Sequence, residues 1–148
     1  MYKRQDKPLV LIGYDSKINK LNHIKSLWTG IGVTGTTPES LCYEAMMDDY
    51  LKSVNGDDNY FINFSDGQPY YSSGDIYYYG SDAERHCKKQ VKIMKNRGIK
   101  VLSYFVAEYE YDRDRDSFKK MYGSDASFIK PTNMMEVAKT MNAMFLQK

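Results

Sequence analysis

Tryptophan occurs once, cysteine twice and proline four times in this chain of 148 residues. The two cysteines, Cys42 and Cys87, each on an expected helix and without C-x-x-C spacing, fit buried or idle thiols in a reducing compartment better than a disulfide or a zinc site. No apolar run comes near the roughly 18 residues of a membrane span. The opening segment, Met1-Tyr2-Lys3-Arg4-Gln5-Asp6-Lys7, is charged and the apolar run after it is too short for a secretory leader. The expectation is a cytoplasmic protein without a membrane partner. An excess of either charge is missing as well: 21 Lys and Arg stand against 19 Asp and Glu, a net charge of +2. The cations are scattered among acids, so no nucleic-acid surface is expected. G-x-S-x-G, Walker A and G-x-G-x-x-G motifs are all absent, and no nucleophile, base and orienting group stand out, which leaves an enzyme reading unsupported.

What is present is the composition of a globular domain, 42% hydrophobic and 27% charged, long enough for one domain with a sizeable core. Fourteen tyrosines stand out. Either they reflect a compositional bias, or they form an exposed aromatic surface, because tyrosine joins contact area to a hydrogen-bonding tip.

Taken in order, Pro8 to Tyr14 is a continuous apolar run, the signature of a strand covered on both faces of a parallel sheet. Asp15-Ser16-Lys17 ends it. A short helix or packed loop follows between Ile18 and Ile31, then a segment flanked by Gly30, Gly32 and Gly35. Thr37 and Pro38 open a helix to about Val54, with Thr37 as N-cap, Glu39 complementing the dipole, and Leu41, Ala45, Met46 and Leu51 as its apolar positions. Asn59 to Phe64 reads as a buried strand ended by the Asp66-Gly67 turn. A long loop from Gln68 to Ser81 holds Tyr70, Tyr71, Tyr77, Tyr78 and Tyr79. Ser81 or Asp82 caps a helix from Ala83 to about Arg97 that buries Cys87, Val91 and Met94, and Gly98 leads into a strand over Ile99–Val106. The spacing predicts a charged loop over Ala107 to Asp116, a short helix from Ser117 to Tyr122, a strand over Ala126–Ile129 and a helix from Met134 to about Leu146. In that last helix Met134, Val137, Ala138, Met141 and Phe145 are expected to face inward. The order is βαβαβαβα, an α/β fold with a mostly parallel sheet between helices.

In such a sheet, ligands bind at the carboxyl ends of the strands, which is where Asp66 falls. A hydroxyl on the glycine-flanked loop, Thr37 or Thr36, together with the Asp66 carboxylate, offers hard oxygen ligands of the kind Mg²⁺ takes. Asp112, Asp114 and Asp116 alternate like a Ca²⁺ loop, but Arg113 and Arg115 intervene and the glycine and closing glutamate are missing, so a solvated charge run is expected. His23 and His86 are lone histidines, with His86 expected on an exposed helix face.

Gly35-Thr36-Thr37-Pro38 opening one helix, and Ser65-Asp66-Gly67 closing the next strand, make the chain resemble the von Willebrand factor A (VWA) family. The succession of helix, Gly98, strand, short helix, strand and final helix extends the resemblance over roughly residues 8 to 147. The Gly-Thr-Thr-Pro stretch is most similar to cobalt-chelatase-type VWA domains, including those carried by phages. The resemblance implies a metal-ion-dependent adhesion site with Thr37, or else Thr36, as its loop threonine and Asp66 as its turn aspartate. It implies Mg²⁺ as the ion, an acidic group of a protein partner as the last ligand, an AAA+ ATPase as the partner class and the Tyr70 to Tyr79 segment as contact surface. A structural or assembly subunit that keeps the fold and lacks a working metal site is the rival.

The family's D-x-S-x-S motif occurs nowhere here, and its first strands have no counterpart. Three arrangements account for that. The chain is the C-terminal part of a longer protein, another chain supplies the strands, or the Pro8 to Tyr14 strand lies beside Asn59 to Phe64. The last would bring Asp15 to the place of the first motif's aspartate, with Lys17 and Asn19 where the serines belong.

Overall fold

The computed structural model describes residues 18–28, 36–53, 58–109 and 111–146. The chain divides into two compact units, Met1–Thr36 and Thr37–Lys148. The expected strand from Pro8 to Tyr14, the glycine-flanked segment 30–35 and Asp15 lie outside the described residues.

In the first unit, α1 runs over Leu21–Trp28, within the span the sequence marks out for a short helix. The His23 backbone N–H donates to the Lys20 carbonyl at 2.9 Å and the Ser26 hydroxyl donates to the His23 carbonyl at 2.7 Å. Ile18 and Leu21 are exposed.

The second unit is α/β. Helix α2 (Glu39–Ser53) leads to strand β1 (Asn59–Ser65), a hairpin of β2 (Tyr71–Ser73) and β3 (Ile76–Tyr78), helix α3 (Gly80–Asn96) and strand β4 (Ile99–Val106). Helix α4 (Asp112–Tyr122), a 3₁₀ turn (Gly123–Asp125), strand β5 (Ala126–Ile129) and helix α5 (Met134–Leu146) complete it. β1, β4 and β5 form a parallel sheet in the order β1-β4-β5, with Asn63 opposite Ser103 and Phe105 opposite Phe128. Among the described residues β1 pairs on one side only.

Alternation along the strands divides the core between two faces, because successive side chains point to opposite sides of a sheet. Ile99, Val101 and Phe105 of β4 join Met47 of α2, Cys87, Val91 and Met94 of α3, and Phe118, Met121 and Tyr122 of α4. On the other face Tyr104 meets Ile129 and Val137 of α5, with Ile62, Leu102, Val106 and Met141 around them. Each such large apolar side chain contributes about 1.5–3 kcal/mol when fully buried. Helix α3 ends as its composition predicts: Gly98 takes φ +79° and its N–H donates to the Lys95 carbonyl at 3.0 Å.

Six expectations about the elements need correcting. β1 is half-buried from Asn59 to Asn63 and exposed at Phe64, rather than a buried strand. The segment after Pro69 is no open loop: Gly74 and Asp75 turn it into the β2–β3 hairpin, and Tyr78 pairs with Tyr71. The run Asp112-Arg113-Asp114-Arg115-Asp116 is the start of α4, where Asp112 and Asp114 occupy the first turn and favour the positive end of the helix dipole. In α2 the inward position is Met47, while Ala45 and Met46 are exposed; Tyr43, Met47, Tyr50 and Leu51 form the packed face. In α3 the helix begins at Gly80 after Tyr79, which supplies no side-chain cap. In α5 Ala138 and Phe145 are exposed, while Val137 is buried and Met141 half-buried.

Candidate functional site

β1 ends in the turn Asp66-Gly67, and three contacts hold that turn. The Gly67 N–H donates to Ser65 Oγ at 2.9 Å, the Gln68 N–H donates to Asp66 Oδ1 at 3.3 Å, and the Phe105 ring covers Gly67. A Cβ on Gly67 would lie 2.3 Å from Phe105 Cε2, and φ there is +79°. The other end of the site is held by a bridge: the Tyr70 N–H donates to the Thr37 carbonyl at 2.9 Å. Thr37 Oγ1 and Asp66 Oδ2 have no partner among the described residues, and both residues are exposed.

These two residues line one cavity of about 620 Å³, together with Glu39, Asn63, Phe64, Ser65, Val106 and Pro131. It lies at the carboxyl end of β1, so the sheet places Asp66 where strand-end chemistry is expected. Phe64, 50% exposed, forms a wall stacked on Tyr104 with ring centroids 5.0 Å apart. Of the residues singled out in the sequence, Thr37 and Asp66 are therefore brought together. Thr36, the last residue of the first unit, is exposed, and Asp15 lies outside the described residues. Tyr70, Tyr77 and Tyr79 are exposed and Tyr71 is half-buried, but Tyr78 is 1% exposed and belongs to the interior.

Beneath the cavity lies a carboxylate that sequence reasoning passed over. Glu39, 7% exposed, accepts at Oε1 from Tyr43 Oη (2.7 Å), Tyr122 Oη (2.6 Å) and Asn63 Nδ2, and at Oε2 from Ser65 Oγ (3.1 Å). Asn63 Nδ2 also donates to Tyr122 Oη at 3.1 Å. Three donors converge on Oε1 and one on Oε2, which fills the first oxygen and leaves the second with acceptor capacity. Burial first, and then the Glu39 charge, push the Tyr43 phenol far above its ordinary value. Burial raises the Tyr122 phenol likewise, with the neighbouring Cys87, Tyr43 and Glu39 adding to it. The Cys87 thiol is pushed up to about 12, chiefly by burial, which makes it an inert thiol. The signal for this cluster was the alternation of Asn63 and Ser65 on one face of an otherwise apolar strand.

A second polar chain joins α2, the hairpin and α3. Tyr78 Oη contacts Ser40 Oγ and lies 3.0 Å from His86 Nδ1, while His86 Nε2 is 3.1 Å from Gln90 Nε2 and 3.5 Å from Glu44 Oε2. His86 is thus half-buried rather than exposed. Burial lowers its pKa from 6.5, against the pull of Glu44 and with the help of Lys89. The unfolded chain then takes up a proton near pH 6.5 that the folded chain refuses, so stability is lost as pH falls below 6.5. At the other extreme the raised Tyr43 and Tyr122 phenols stay protonated when those of the unfolded chain ionise near pH 10, so stability is also lost above that pH. Urea midpoints should decline at both ends, and His86→Gln should flatten the acid limb alone; an unchanged acid limb in that variant would remove His86 from the account.

Among the described residues no group of three His, Cys, Asp or Glu side chains could cage a metal ion, and no helix is long and apolar enough to cross a membrane. No family model matches the chain, and no curated protein or solved structure matches it either.

Proposed function

We propose that the chain is a VWA-like interaction module that binds an acidic group of a protein partner through Mg²⁺ held at Thr37 and Asp66. The observation that carries this reading is the shared cavity: Thr37, just before α2, and Asp66, just after β1, line the same space at the carboxyl end of β1. The donor set suits the ion. Mg²⁺ dehydrates reluctantly and accepts one or two carboxylates beside several waters, and one hydroxyl with one uncommitted carboxylate oxygen leaves room for both water and a partner's acid. Bound there, the ion would supply a positive centre that an acidic side chain can complete. Tyr70, Tyr77 and Tyr79, all exposed, give the partner aromatic contact area. An AAA+ ATPase is the partner class that the chelatase-type resemblance suggests.

A second reading rests on the sheet edge. β1 is paired on one side only among the described residues, and an unpaired strand edge is a template for another chain. A structural subunit with no working metal site would use that edge. Calorimetric titration separates the two. Mg²⁺ should bind the wild-type chain, and Asp66→Ala should remove the heat; a wild-type chain that gives no heat, or a variant that binds equally well, favours the structural subunit.

A further inference from the structure

Glu39 lines the same cavity as Thr37 and Asp66 and would pass for a third ligand. Its hydrogen bonds argue otherwise. Oε1 receives Tyr43, Tyr122 and Asn63, which fill it, and Oε2 is tethered by Ser65, in a side chain only 7% exposed, so the carboxylate is committed to the interior more than to a cation. These four donors come from α2, α4 and β1, which makes the carboxylate a junction between three elements.

We infer that Glu39 is a positioning residue for the cation site, fixing through Ser65 the spacing between the Thr37 hydroxyl and the Asp66 carboxylate. The inference rests on the Mg²⁺ reading above and adds the part of the structure that makes the site selective in geometry. Glu39 lies two positions after Thr37 in the first turn of α2, and Ser65 immediately precedes Asp66 at the end of β1. The Ser65 hydroxyl donates to Glu39 Oε2 while its oxygen accepts the Gly67 N–H at 2.9 Å. One hydroxyl therefore ties the turn that carries Asp66 to the helix start that carries Thr37. The Tyr70 N–H on the Thr37 carbonyl and the Phe105 ring against Gly67 hold the two outer ends. Mg²⁺ demands near-octahedral placement of its oxygens, so loosening this link should cost affinity without touching a ligand.

The test uses the full chain in three variants, Ser65→Ala, Glu39→Gln and Tyr43→Phe, with two readouts at a temperature where each is folded. Ser65→Ala and Glu39→Gln should weaken Mg²⁺ binding by about 10-fold or more, the range seen when a group that orients a metal ligand is removed. Tyr43→Phe, which removes a donor to Oε1 and leaves the Ser65 link in place, should stay within about 3-fold of wild type on the same scale. The second readout is amide hydrogen exchange at Gly67. It should accelerate in Ser65→Ala and Glu39→Gln, with the amides of β4 unchanged, because the turn loses its tether while the core does not. Wild-type Mg²⁺ affinity in Ser65→Ala would overturn the inference, and so would unaltered Gly67 exchange. A wild-type chain that binds no Mg²⁺ would sink the functional reading instead, while the exchange data would still decide whether Glu39 positions the turn.

Discussion

Glu39→Leu should lower stability by about 2–4 kcal/mol, the cost of one or two buried donors left without an acceptor. Two effects oppose each other. A buried carboxylate carries a desolvation penalty, and among the described residues no Lys or Arg pairs with Glu39, so its removal relieves something. Against that stand four hydrogen bonds to a charged acceptor, and such bonds are worth about 1.5–3 kcal/mol each. Tyr43 and Tyr122 can partly satisfy one another, since their hydroxyl oxygens are 2.8 Å apart, which leaves Asn63 and Ser65 as the main losers. For a chain of this size the melting temperature should fall by roughly 5–15 °C. An unchanged or raised urea midpoint would mean that the acid is held in the interior at a net loss.

Gly67→Ala should be at least as damaging, about 2–5 kcal/mol, because two penalties add. A positive φ costs a residue with a Cβ about 1–2 kcal/mol, and overpacking a filled site costs about 1–3 kcal/mol more. The new methyl would meet Phe105 Cε2 at 2.3 Å and Phe118 Cδ2 at 3.3 Å. Phe105 has little freedom to yield: it is 2% exposed and packs its ring against Phe118 and Phe128 at 5.4 and 5.8 Å. Gly98 provides the control. It has the same φ of +79° but nothing within 4 Å of the added atom, so Gly98→Ala should show the backbone penalty alone, about 1–2 kcal/mol. Equal losses at the two positions, measured by denaturant midpoints, would show that the Phe105 ring moves aside.

The contrast between Gly67 and Gly98 also marks what the sequence could reveal. Gly98, followed by the Ile-, Val- and aromatic-rich run Ile99–Val106, announces the end of α3 and the whole of β4, because a C-terminal glycine and a β-branched, aromatic-rich segment are local signals. α5 was readable from the helical spacing of its apolar residues, and β5 from its place between Gly123 and that helix. The hairpin was not. Tyr-, Ser- and Gly-rich residues look like a loop, and Tyr78 declares itself only through its contacts with Ser40 and His86 on other elements. Asp112 to Asp116 has no apolar period, and its helix is held in place by Phe118, Met121 and Tyr122 further along and by Arg115 lying over the Phe128 ring at 4.4 Å.

The candidate site divides in the same way. Thr37 and Asp66 could be picked out because a threonine before a helix-opening proline and an Asp-Gly turn after a strand are recognisable locally. Glu39 had an ordinary local explanation, an acid in the first turn of a helix, and nothing nearby in sequence indicated that Tyr122, on α4, donates to it. The tyrosines were read together as a compositional bias or an exposed surface, with Tyr78 in the contact segment, whereas the phenols of Tyr43, Tyr78 and Tyr122 are turned inward to buried or half-buried polar partners.

Paramagnetic broadening by Mn²⁺, standing in for Mg²⁺, tests the proposed cation site most directly. In backbone amide spectra of the wild-type chain the loss of signal should centre on Thr37, Asp66 and Gly67 and should disappear in Asp66→Ala. Broadening centred instead on Asp48 and Asp49 or on the Asp112 to Asp116 turn, or none at all, would contradict the account.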